Sequence, residues 1–198
     1  MKFSTKNLVT LAVFGTLWGI SEITLGTLFK TLNIPLSGVL LSVIGLSIAL
    51  IGRIFVPKKG STLFIGVIAM LLKLFSLGGV VLGPMIGILG EAVIAEVILS
   101  LTGKPRLGTL TLAGSLSVLW VLAQPFVTNP ILYGRTVFVV WEKVINNGSQ
   151  LLGLRTNAVF WILGIMTCIH LISGVVAGII SWTLGRRLQQ RVGLSSEE

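Results

Sequence analysis

The sequence predicts an all-α, polytopic membrane protein: a six-helix transmembrane bundle with both termini cytoplasmic. Three observations lead there. Of the 198 residues, 54% are hydrophobic and only 11% charged, and the mean hydropathy of +1.00 lies outside the balance of a soluble domain. The apolar residues gather into runs of the length a bilayer requires, about 20 residues each. The basic residues gather in the short connections between those runs, with a bias between alternate connections.

The elements follow in order. Lys2 and Lys6 precede a run that starts at Leu8 and continues past Trp18 to Phe29. It lacks a small-x-small cleavage pattern, so it reads as an uncleaved first helix over 7–29. Asn33-Ile34-Pro35 separates it from a second helix over 36–56, and Pro57-Lys58-Lys59-Gly60 separates that from a third over 61–77. Gly78-Gly79 stands before a fourth helix, 82–101, and Gly103-Lys104-Pro105 before a fifth, 107–128. The last helix is predicted over 157–184. Between the fifth and the last, residues 129–156 break the rhythm of short loops. Their apolar stretch from Ile131 to Val140 is too short to span and carries Arg135, and Asn146-Asn147-Gly148-Ser149 reads as a turn. This is an outer-face segment that serves either as a lid or as an interfacial belt, and Trp141 suits both. The whole chain, 1–198, is one integral membrane domain.

Fifteen Lys and Arg against six Glu give a net charge of +9. In a soluble protein this would suggest nucleic acid; here topology accounts for it. Lys2, Lys6, Arg53, Lys58, Lys59, Lys104, Arg106, Arg186, Arg187 and Arg191 fall on one side, and Lys30, Arg135, Lys143 and Arg155 on the other, which makes the first side cytoplasmic. The chain has no aspartate, which disfavours chemistry built on Asp-held Mg²⁺. Cys168 is the single cysteine, so no intrachain disulfide forms, and its apolar surroundings suggest a structural role.

A charge near the bilayer centre costs about 2.5 to 3.5 kcal/mol on insertion scales, so each one needs a partner or a wet cavity. Glu22, Lys73, Glu91, Glu96, Gln124 and His170 all fall inside predicted helices. Counted at about 1.5 Å per residue from the cytoplasmic ends, Lys73, Glu91 and His170 share a level, Glu22 lies slightly higher, and Gln124 nears the outer boundary. Glu91 and Lys73 are therefore expected to meet, either as a packing ion pair or as part of a binding pocket open to the outer face. Trp18 shares a helix face with Glu22, and Trp120 with Gln124, so both indoles are candidate stacking walls for a flat polar ligand. Glu96, roughly 140° around the helix from Glu91, reaches instead toward inner basic residues such as Arg53 or Arg106.

No catalytic arrangement is evident. One histidine and one cysteine make no zinc site, and neither a Gly-x-Ser-x-Gly elbow nor a nucleotide-binding Gly-x-x-x-x-Gly-Lys-Ser/Thr loop occurs. No enzyme, metal or cofactor is expected. Gly15-Thr16-Leu17-Trp18-Gly19 is a Gly-x-x-x-Gly step, suited to internal packing or to a partner helix.

Six spans in about 200 residues, short loops, a longer connection before the last helix, and the stretch Val80-Val81-Leu82-Gly83-Pro84-Met85-Ile86-Gly87 together resemble the substrate-binding S components of energy-coupling factor transporters. Gly90-Glu91-Ala92 is similar to the subgroup for thiamine precursors. The resemblance implies a vitamin-binding subunit of a prokaryotic inner or plasma membrane, working with a transmembrane coupling protein and two ATPase subunits. It also implies that small residues on the first helix dock the coupling protein; Gly15 and Gly19 stand where that family typically has Ala-x-x-x-Ala. The pocket would lie toward the outer face, covered by Asn33 to Ser37 and by the segment from Asn129 to Arg135.

The expected function is capture of a small water-soluble micronutrient, with Trp18, Glu22, Lys73, Glu91, Trp120, Gln124, Asn129, Arg135 and His170 as the candidate contacts. Two other classes stay open: a stand-alone proton-coupled carrier or channel titrating Glu91 and His170, and a membrane scaffold that needs only the ion pair and the glycine step.

Overall fold

The computed structural model describes residues 3–76 and 82–193. Among these residues the structure is helical, without strands: α1 (Thr5–Thr31), α2 (Ser37–Phe55), α3 (Ser61–Leu72), α4 (Leu82–Thr102), α5 (Leu107–Tyr133), α6 (Val137–Leu152) and α7 (Val159–Arg191). A 3-10 turn, Lys73–Phe75, continues α3. By length and composition α1, α2, α4, α5 and α7 can each cross a membrane, while Ser61–Phe75 is apolar but shorter. Lys2, the Gly78-Gly79 break and Val80-Val81 lie outside the described residues.

The surface is apolar where a soluble protein would be polar. Val9, Val13 and Ile20 on α1 and Ile172, Val176 and Ile179 on α7 face outward, as helices in contact with lipid do. Inside, α2 is the central element and packs on α1, α3, α4, α5 and α7. Leu46, Leu50 and Ile54 of α2 share a core with Leu99 of α4 and Leu110 and Ala113 of α5. Ala49, on another side of α2, joins Leu11 and Trp18 of α1, Ile65 of α3 and Ala92 of α4 in a second core.

α5 and α7 meet backbone to backbone. A Cβ added at Gly174 would fall 2.4 Å from the Gly114 carbonyl oxygen, and one at Gly178 would fall 2.5 Å from the Cα of Thr111. Lipid tails are as apolar as the helices, so close approach through small residues is what gives this crossing its dispersion energy.

Several segment boundaries differ from expectation. α5 does not stop near 128; it runs through Pro125 and Pro130 to Tyr133. The φ that proline fixes is helical, and the cost is local, one lost backbone bond and a crowded carbonyl. Thr128 and Asn129 add side-chain bonds of 3.1 and 2.9 Å to the carbonyls of Gln124 and Pro125, reinforcing that stretch. Asn146-Asn147-Gly148-Ser149 is not a turn but part of α6. Gly148 is there because the helix presses on α7, where an added Cβ would lie 2.5 Å from Ile162. α7 continues past 184 to Arg191, and Gln189 donates to the Ile54 carbonyl at 2.9 Å. Cys168 is exposed on α7 rather than packed, which corrects the structural role expected of it.

Candidate functional site

A cavity of about 730 Å³ opens between the end of α1, the start of α2, the 3-10 turn and the start of α4, with α5 behind it. Glu22, Gly26, Thr27, Lys30 and Thr31 recur at helical spacing, so a single face of α1 forms one wall. Ser37, Gly38, Leu41 and Ser42 of α2 form the next, and Gly83, Pro84, Gly87, Ile88 and Glu91 of α4 the third. Val121 and Gln124 of α5 close the back. Glu22 lies nine residues from the end of α1, and Glu91 nine from the start of α4, a depth of about 14 Å for each along its helix.

The expected pair of Lys73 with Glu91 is replaced by another. Lys73 Nζ lies 3.2 Å from Glu22 Oε2 and donates to the Glu22 backbone carbonyl at 2.7 Å. The reason is adjacency: α1 packs directly on α3 and on the 3-10 turn, and the long lysine side chain bridges the small difference in level. Both side chains are largely buried at the cavity wall, so removing one partner leaves a charge without its counter-ion. The double replacement Glu22→Gln with Lys73→Met is therefore expected to lose less stability than the two singles summed, by about 1 to 3 kcal/mol. Thermal unfolding of the four proteins in detergent measures this.

Glu91 is left without a cationic partner among the described residues. Its carboxyl accepts from the Ser42 hydroxyl of α2, and its backbone carbonyl accepts from Ser117 of α5 at 3.1 Å. The side chain is 5% exposed and lines the cavity. Gln124 is positioned by donation from Nε2 to the Gly83 carbonyl at 2.7 Å. Gly87 makes room for it, since a Cβ there would lie 2.7 Å from Gln124 Oε1.

The remaining candidates are placed elsewhere. Trp18 is fully buried, its indole in a slot that Gly45 of α2 leaves open, and it does not line the cavity. Trp120 lies likewise against Gly90 of α4. Neither indole is a stacking wall; they fill gaps opened by glycines, and neither Nε1 has a hydrogen-bond partner. His170 is buried with Nδ1 2.7 Å from the Met166 carbonyl oxygen, outside the cavity lining. Asn129 and Arg135 belong to a second pocket, of about 150 Å³, between α5 and α6. Gly15 and Gly19 face inward, where an added Cβ would lie 2.7 Å from Ile68 and from Leu72. That face is taken up by α3.

Glu96 has a separate task at the opposite end of the bundle. Its carboxylate accepts from the backbone N–H groups of Gly60, Thr62 and Leu63 at 2.7, 2.9 and 3.4 Å. It also pairs with Arg53 at 3.2 Å and accepts from the Ser100 hydroxyl. A side chain of α4 thus caps the first turn of α3, whose N–H groups have no partner within their own helix.

Two contributors went unsingled in the sequence. Ser42 falls in a polar, small-residue stripe with Ser37 and Gly38 on α2, a signal readable as packing alone. Lys30, exposed at the mouth of the cavity, enters the topology count but also lines the site. Among the described residues no three His, Cys, Asp or Glu side chains converge as metal ligands. No family model, curated protein or solved structure matches the chain.

Proposed function

We propose that this chain is the solute-capturing membrane subunit of an uptake system for a small, water-soluble micronutrient, a vitamin or vitamin precursor. In this reading Ser61–Phe75 completes a sixth crossing, both termini are cytoplasmic, and the cavity opens outward. The observation that carries the reading is the Glu91 carboxyl, held deep in the cavity with a hydroxyl beside it and no counter-charge among the described residues. A chain that needed Glu91 only for packing would neutralise it, as it neutralises Glu22 and Glu96.

The charge distribution describes the solute. Lys73 is engaged by Glu22, which leaves Glu91 deep in the cavity and Lys30 at the mouth as the groups without an ion-pair partner among the described residues. A complementary solute carries a cationic or N–H donor group at its leading end and acceptors or negative charge at its trailing end. With no nucleotide-binding loop in the sequence, energy comes from elsewhere, and the resemblance to energy-coupling factor S components supports a coupling protein and two ATPase subunits as partners. Since the face of Gly15 and Gly19 is filled by α3, docking to such a partner would use another surface. A proton relay between Glu91 and His170 gains no support, because His170 is turned to its own helix and does not line the cavity.

The test is thermal-shift screening of the purified protein against water-soluble vitamins and their precursors, followed by uptake with and without ATPase subunits. A stabilising hit that requires the ATPases for uptake is expected. Uptake into liposomes by the chain alone, driven by a pH gradient, would establish a carrier instead. A panel without hits, together with stable co-purification of another membrane protein, would favour a scaffold.

A further inference from the structure

The second pocket supports an inference separate from solute capture. It lies on the far side of α5 from the cavity: Gln124 lines one and Pro125 the other. Its lining combines the apolar Pro125, Val139, Val140 and Val144 with the polar Asn129, Arg135, Lys143 and Asn147. Neither Arg135 nor Lys143 is in an ion pair among the described residues. The neighbouring Glu142 points roughly 100° away around α6. Two like charges at one small pocket, with carboxamides beside them, form a setting that attracts an anion.

The surroundings indicate which anion. Tyr133 and Phe138 flank Arg135 in the chain and are exposed, as are Trp141 of α6 and Phe160 and Trp161 at the start of α7; none of the five lines the pocket. Such an aromatic belt beside basic residues marks the level of lipid headgroups. The Arg135 guanidinium lies 5.7 Å from the centre of the Tyr133 ring, which holds it at that level. A soluble anion would use the charges and leave the apolar part of the lining and the exposed aromatics unmatched. A phosphate joined to acyl chains matches both.

We infer that the pocket between α5 and α6 binds the phosphate headgroup of an anionic phospholipid, with Arg135 and Lys143 as its charge partners and α6 resting on the lipid surface. Native mass spectrometry of the full chain, exchanged from detergent into mixed micelles with phosphatidylglycerol or phosphatidylcholine, tests this. Wild-type protein is expected to retain phosphatidylglycerol in preference to phosphatidylcholine. The double variant R135Q/K143Q is expected to bind phosphatidylglycerol about thirtyfold more weakly, the factor that two lost surface cations give. Because both side chains are exposed, the variant should melt like the parent in lipid-free detergent. The charge-conserving R135K/K143R is expected to keep the lipid and controls for loss of fold.

Equal retention of the two lipids by the wild type, or unchanged phosphatidylglycerol binding in a folded R135Q/K143Q variant, would overturn the assignment. So would stabilisation by inorganic phosphate or glycerol 3-phosphate matching that by the lipid, which would make this a soluble-anion site. None of these outcomes depends on whether the larger cavity binds a vitamin.

Discussion

Alanine at position 96 is expected to cost about 3 to 5 kcal/mol of stability, the range for breaking a buried ion pair from one side. The loss has two sources. Arg53, 2% exposed, keeps its charge and loses its counter-ion, and the N–H groups of Gly60, Thr62 and Leu63 lose their acceptor in one step. Water replaces that acceptor poorly in a buried site, so each orphaned group carries its desolvation penalty. In a thermal melt monitored in detergent, the midpoint should fall by roughly 10 °C or more. Glu96→Gln is expected to be milder, because an amide oxygen still accepts from part of the turn while the charge on Arg53 stays uncompensated. A melt of the alanine variant within about 2 °C of the parent would show that the cap contributes little.

Position 91 should behave in the opposite way. In the absence of solute, Glu91→Gln is expected to melt at or above the parent's temperature, because it removes an acid held without a counter-charge and keeps an acceptor for Ser42. Affinity for the solute identified by screening should nevertheless fall, by at least about tenfold for glutamine and about a hundredfold for alanine, as expected when one side of a buried charged contact is cut away. Isothermal titration on the purified variants separates the two effects. A glutamine variant that is destabilised yet binds normally would make Glu91 a packing residue and withdraw the main support for solute capture. The contrast between the two glutamates of α4 is itself informative: one is saturated with donors, and the other has a single hydroxyl.

The run-and-breaker pattern located the starts of the apolar helices to within two residues, because hydrophobic length and Pro/Gly punctuation are local properties, while α5 and α7 end five and seven residues later than expected. Where it failed, a tertiary contact had overridden a local signal. Asn146 to Ser149 carries turn residues, yet the stretch is helical with Gly148 pressed against Ile162. Of the side chains compared by depth, Glu22, Lys73, Glu91 and Gln124 line one cavity, whereas His170, counted to the same level as Lys73 and Glu91, does not. Depth counting chose Glu91 as the partner of Lys73 where the structure has Glu22, because pairing depends on which helices are neighbours and not on level. The tryptophans misled for a related reason. An aromatic one turn from a polar side chain looks like a ligand wall, but Gly45 and Gly90 on other helices had opened slots for the indoles, and no spacing within α1 or α5 announces this.

The cap on α3 also bears on how the chain is made. As synthesis proceeds, α3 leaves the ribosome before α4, with the N–H groups of its first turn unmatched and too few apolar residues to settle comfortably across a bilayer alone. Its missing acceptor arrives more than thirty residues later, on Glu96. The first turn of α3 is therefore completed from another helix, and the same carboxylate ties α4 to α2 through Arg53, so these three helices can close on one another only once residue 96 has been made.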